Sequence, residues 1–90
     1  MKPRIHSRGW QADVMPDPAA SRDIRARLRS EARAAMREAG MARLPRHPFT
    51  EDGKALAEQD AEAIRSALRR QGLNLSDFHI AVHDTSSMSF

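Results

Sequence analysis

Ninety residues whose 40% hydrophobic share is largely alanine permit one small domain with a modest core, and leave little room for the enclosed pocket of an ordinary enzyme. The absence of cysteine excludes a disulfide framework and a thiolate metal site, and no run reaches the ~18 apolar residues of a membrane-spanning helix. The net charge of +3 hides an asymmetry: residues 1–48 hold eleven Lys or Arg against five Asp or Glu, whereas residues 49–90 hold four against seven.

The opening segment, MKPRIHSRGW, lacks the apolar run of a secretory signal, so the expected compartment is the cytoplasm. Residues 1–16 contain Pro3, Gly9 and Pro16 and sustain no period. They are expected to form a flexible or extended arm, anchored by Ile5, Trp10 and Val14.

A single domain over 17–84 follows, expected to be mainly α. Its first helix is predicted over about 18–39. Asp17 before Pro18 offers an N-cap, Ser21 offers a second, and Gly40 can take the left-handed conformation that ends a helix. MARLPRHPF, residues 41–49, holds two prolines and reads as a connector. Thr50 caps a second helix predicted over about 51–71, with Glu51 and Asp52 at its positive end and Gly72 beyond its last turn. Leu73 is the apolar residue expected after such an ending. Gly53 weakens the first turn by ~1 kcal/mol relative to alanine.

The tail changes period. Phe78, Ile80 and Val82 alternate with His79, Ala81 and His83, which predicts a β-strand over about 77–84, although a helix over 76–83 is the competing reading. A lone strand needs a partner, either Arg4–Trp10 or the same strand of a second copy. Residues 85–90 are expected to fray. The fold expected is therefore a two-helix hairpin with a C-terminal strand, the alternative being a small α+β domain.

The first helix carries the functional expectation. At about 100° per residue, Arg22, Arg25, Arg29, Arg33 and Arg37 fall within roughly 120° of one another, while Ile24, Leu28, Ala32, Ala35, Met36 and Ala39 form an opposed apolar arc. Arginines four apart repel by ~0.2 to 0.5 kcal/mol each, so the stripe does not serve the helix itself. A GC-rich codon bias accounts for thirteen arginines against two lysines, but not for where they sit. The stripe is either a plain solvated face, a surface for an acidic protein partner, which arginine forks would bind through carboxylates, or a row of phosphate contacts on nucleic acid. The missing interleaved aromatics count against nucleic acid. The alanine-heavy apolar arc, without Trp or Phe, counts against a membrane surface.

In the second helix Leu56, Ala57, Ala63, Ile64, Ala67 and Leu68 share a face from which Asp60 and Gln71 project. An unpaired buried carboxylate costs several kcal/mol, so Asp60 is expected to pair with Arg43 or Arg46, or to lie at a solvent-open rim. Glu58, Glu62, Arg65 and Arg69 alternate on the opposite side, where Glu62 and Arg65 can pair. The four histidines, 6, 47, 79 and 83, frame no metal site, because His79 and His83 on a strand lie about 13 Å apart. No catalytic motif frames Ser, His and Asp. The sequence therefore points to a non-catalytic adaptor or inhibitor-like protein that docks its arginine stripe on an acidic protein surface and self-associates through its apolar faces or its C-terminal strand, with nucleic-acid binding as the alternative. No metal or cofactor is expected.

Overall fold

Trp10, Ala12 and Val14 recur every second residue in GWQADVMP, the period of a strand with one covered face, and Gly9–Pro16 forms strand β1. In the computed structural model, which describes residues 8–85, β1 is the middle of a three-stranded antiparallel sheet of order β2-β1-β3. Strand β2 is the two-residue His47–Pro48 and β3 is Phe78–Asp84. Helices α1, Arg22–Glu38, and α2, Glu51–Arg70, complete the chain, with a 3-10 turn at Leu75–Asp77 before β3.

The fold is thus α+β, and the expectation of a mainly α hairpin is corrected. The second half of the expected arm is extended, but it lies at the centre of the sheet. Gly9 and Pro16 read as loop punctuation because of their residue types. Pro16 lies at the last position of β1 and pairs with Phe78 across a rung that exchanges no hydrogen bonds with β3, so its missing N–H costs the ladder nothing. The C-terminal strand is present, one residue shorter than predicted, and its partner is Gly9–Pro16, running from Trp10 opposite Asp84 to Pro16 opposite Phe78. Ile5, His6 and the rest of the arm before Arg8 lie outside the described residues, as does the expected frayed tail after Thr85.

α1 starts four residues later than predicted because Ser21 caps it, its hydroxyl accepting from the Ile24 N–H at 3.3 Å. Asp17 instead closes a local turn, accepting from the Ala19 N–H at 3.0 Å. Both helices close in the same way. Gly40 and Gly72 take φ of 77° and 78°, and the next residues, Met41 and Leu73, donate back to Met36 and Leu68 at 2.7 and 3.0 Å. Met41 and Leu73 then pack against the core.

α2 lies over the sheet and α1 packs beside it, so the core joins Leu28, Ala32, Ala35 and Met36 of α1 to Ala61, Ile64 and Leu68 of α2 over Ala12 and Phe78. The buried face of α2 is rotated from the one read in the sequence. Ala61 is buried, while Leu56 is 43% exposed and Ala63 is exposed, because the helix covers the sheet as well as α1. Ile24, expected in the apolar arc of α1, is also exposed, one turn before the helices meet.

Alternation gives the sheet two faces. Trp10, Ala12, Val14 and Pro16 of β1 lie with Asp84, Val82, Ile80 and Phe78 of β3 on the helix side, while Gln11, Asp13 and Met15 lie with His83, Ala81 and His79 on the other. That other face is largely exposed, Met15 at 57%.

Candidate functional site

The five arginines of the predicted stripe share one helix but have three different settings. Arg25 turns back on the preceding loop, its guanidinium donating to the backbone oxygens of Ala20 at 2.8 Å and Pro18 at 3.3 Å. It locks the passage from β1 into α1. Arg22, at the first turn, projects into solvent. Arg29 and Arg33, one turn apart, border a groove of about 540 Å³ between α1, β1 and the connector, and Arg37 borders a smaller adjoining notch with Arg33, Met36 and Ala42.

The groove exists because β2 is only two residues long. It pairs with Gly9 and Trp10 and leaves β1 from Gln11 onward with no strand on that side among the described residues. The ending of α1 at Gly40 directs the connector back across this gap, where the Gln11 side chain holds it by donating to the Leu44 oxygen at 2.8 Å. Ala12, Val14, Met36, Leu44 and Phe78 supply apolar lining, and Arg29, Arg33 and Arg43 supply three guanidinium groups. One carboxylate, Asp13, is also present. It accepts from the Val14 N–H at 2.9 Å and lies 3.7 Å from the His83 imidazole, and it makes no ion pair with the three arginines.

Arg22, Arg29, Arg33, Arg37 and Arg43 have no hydrogen-bonded or ionic partner among the described residues. The acidic half of the chain does not neutralise them. Arg8 pairs with Asp84 at 2.8 Å, at the far end of the sheet, and Arg27 pairs within α1 with Glu31 at 3.9 Å. The hydrogen bonds that Arg8 donates to Asp84 raise the pKa of its guanidinium above the ordinary value, opposed by desolvation and aided by the charge of Asp84. Glu62 and Arg65 make the predicted pair at 2.8 Å.

Asp60 has the partner its position demands, but of another residue type. The imidazole of His47 lies 2.8 Å from its carboxylate, replacing the expected Arg43 or Arg46. Arg43 instead borders the groove, because the connector turns its first half toward β1 and its second half, as β2, toward α2.

The aromatic side chains are committed elsewhere. Trp10 and Phe49 stack with centroids 5.0 Å apart, Arg8 lies 4.1 Å over Phe49 and Lys54 lies 5.2 Å over Trp10. Each ring has a cation over it as well as an aromatic neighbour. Phe78 is buried. Among the described residues no cluster of three or more His, Asp or Glu could hold a metal ion, and no helix is long and apolar enough to cross a membrane.

No protein-family model, curated protein or solved structure matches the chain. The groove therefore has to be read from its own chemistry. Three guanidinium groups above an apolar floor suit a ligand that is anionic and partly apolar, with carboxylates held bidentately at the rim. Sequence reading found Arg29 and Arg33 through their helical spacing. It missed Arg43 as their neighbour and the floor from β1, although the alternation of Trp10, Ala12 and Val14 carried the signal for that strand.

Proposed function

We propose that this chain is a non-catalytic binding protein of the cytoplasm, an adaptor or inhibitor-like module that docks an acidic protein surface against the groove between α1 and β1. The observation that carries this reading is the convergence of Arg29 and Arg33 with Arg43 over an apolar floor, none of the three being ion-paired with a described carboxylate. A merely solvated face needs neither the convergence nor the floor. Beside Gln11, Asp13 and His83 the lining is made of guanidinium forks and apolar atoms, and the three arginines supply the bidentate donors that hold a carboxylate, which supports binding.

Arg29 and Arg33 are one turn apart, about 6 Å at their Cβ atoms. Acidic side chains two apart on an extended segment match that spacing. The residue between such acids points to the opposite side of the segment, away from α1. Nucleic acid is the competing partner, and the committed faces of Trp10 and Phe49 argue against it because base stacking needs open rings.

The test is a titration of a labelled peptide alternating glutamate and leucine, and separately of a short DNA duplex, at low salt. Peptide binding that weakens in the double variant R29A/R33A supports the reading. Duplex binding that falls roughly a hundredfold between 50 and 200 mM salt, as about four phosphate contacts require, would replace it with the nucleic-acid reading.

A further inference from the structure

The opposite edge of the sheet carries a second, independent surface. Asp17 donates to the Asp77 oxygen and Thr85 to the Gly9 oxygen, each at 2.8 Å, at the two ends of the β1–β3 ladder. Hydrogen-bonded rungs alternate along an antiparallel pair, so the odd-numbered residues of β3 bond to β1, and the N–H and C=O groups of Ile80 and Val82 point to its outer side, while the Phe78 N–H donates to the Leu75 oxygen. Among the described residues no strand covers that side. The usual guards of an edge are missing as well, since Phe78–Asp84 contains no proline and no lysine. α2 does not close over it either: clefts of about 270 and 420 Å³ run between Arg65 and Glu62 of α2 and the edge at Ile80 and Val82.

We propose that this edge pairs with the same edge of a second copy, antiparallel, with the two-fold axis at Ala81. The segment His79-Ile80-Ala81-Val82-His83 is nearly symmetric about that residue. In this register Ile80 lies opposite Val82 of the second copy on the helix side, where both are only partly buried in one chain, and His79 lies opposite the second copy's His83 on the open face. The backbone parity fits, because the outward groups of residue 80 meet the outward groups of residue 82. A small alanine stands on the axis. The flank of α2 above the edge is charge-balanced, Glu58 and Glu62 with Lys54 and Arg65, so a second copy brings no net repulsion. The outcome is a six-stranded sheet in which both arginine grooves stay open, each on the far side of β1. Two grooves on one particle would raise affinity for a partner with repeated acidic segments by avidity.

The chain has no cysteine, which makes the register directly readable. Residue 81 meets its own copy in a non-hydrogen-bonded rung, with Cα atoms about 4.5 Å apart, within disulfide reach. The experiment is sedimentation of the wild-type chain, mild oxidation of A81C and H79C, and sedimentation of V82P, which removes one outward N–H and no bond to β1. The proposal expects a wild-type particle of twice the 10.1 kDa chain mass, a disulfide-linked A81C dimer, an unlinked H79C, and a V82P monomer that keeps its circular dichroism. A wild-type monomer up to its solubility limit overturns it, as does H79C linking as readily as A81C, or a folded V82P that remains dimeric. If V82P does not fold, the comparison of A81C with H79C decides by itself, since linkage of A81C alone upholds the register and any other pattern rejects it.

Discussion

The Asp60 carboxylate and the His47 imidazole, 2.8 Å apart, tie the middle of α2 to the short strand β2. Both side chains are largely covered, at 16% exposure for His47 and 27% for Asp60, and a charged acceptor in such a place needs its donor. The pair fixes where the connector crosses α2. D60A is expected to lower stability by about 1 to 2 kcal/mol, because it leaves a polar ring without its acceptor. In a domain of this size that is a fall in Tm of several degrees, measurable by circular dichroism. An unchanged Tm would show that the pair does not set the register.

Gly53 presents the opposite case, a residue whose cost is plain from the sequence and whose purpose is not. Glycine in a first turn weakens a helix by ~1 kcal/mol relative to alanine, so helix propensity alone predicts that G53A stabilises. The structure reverses the sign. A Cβ at residue 53 would overlap the carbonyl oxygen of Pro48, and the backbone there is held because Gly53 also donates to the Thr50 hydroxyl at 3.0 Å. G53A is expected to destabilise by about 1 to 3 kcal/mol in urea melts, as overpacking does. A stabilised G53A would mean that β2 does not approach α2 this closely.

Arginines of the same helix stripe should behave differently. Arg25 holds two backbone oxygens of the preceding loop, so R25A is expected to cost about 1 kcal/mol of stability and little binding. Arg29 and Arg33 hold no other described residue, so R29A/R33A should stay within about 0.5 kcal/mol of wild type while losing the acidic ligand. Parallel melts and ligand titrations of the two variants separate the roles. Loss of binding in R25A alone would reverse the assignment.

What can be read in the sequence is what local chemistry determines. Helix ends at Gly40 and Gly72, the cap at Thr50 and the alternation from Phe78 to Val82 all depend on residues within a few positions of one another. The Glu62–Arg65 pair belongs to the same class. The features that the sequence hides depend on distant partners. Pro16 and Gly9 read as loop residues, and only pairing with β3 and β2 makes Gly9–Pro16 a strand. Asp60 needs a basic partner from the connector, yet which of Arg43, Arg46 and His47 faces it depends on how the connector turns after Gly40. The groove is half legible for the same reason. Helical spacing places Arg29 and Arg33 together, but Arg43 and the apolar floor come from elements brought in by the sheet.

The most direct measurement of the binding claim is a two-dimensional nuclear magnetic resonance titration that follows the arginine side-chain Nε–H signals as the glutamate–leucine peptide is added. The groove predicts that Arg29, Arg33 and Arg43 shift first and saturate together, with backbone shifts at Ala12 and Val14 and none at Arg69 or Arg70 on the far end of α2. Uniform small shifts across all the arginines, or saturation centred on Arg69 and Arg70, would contradict it.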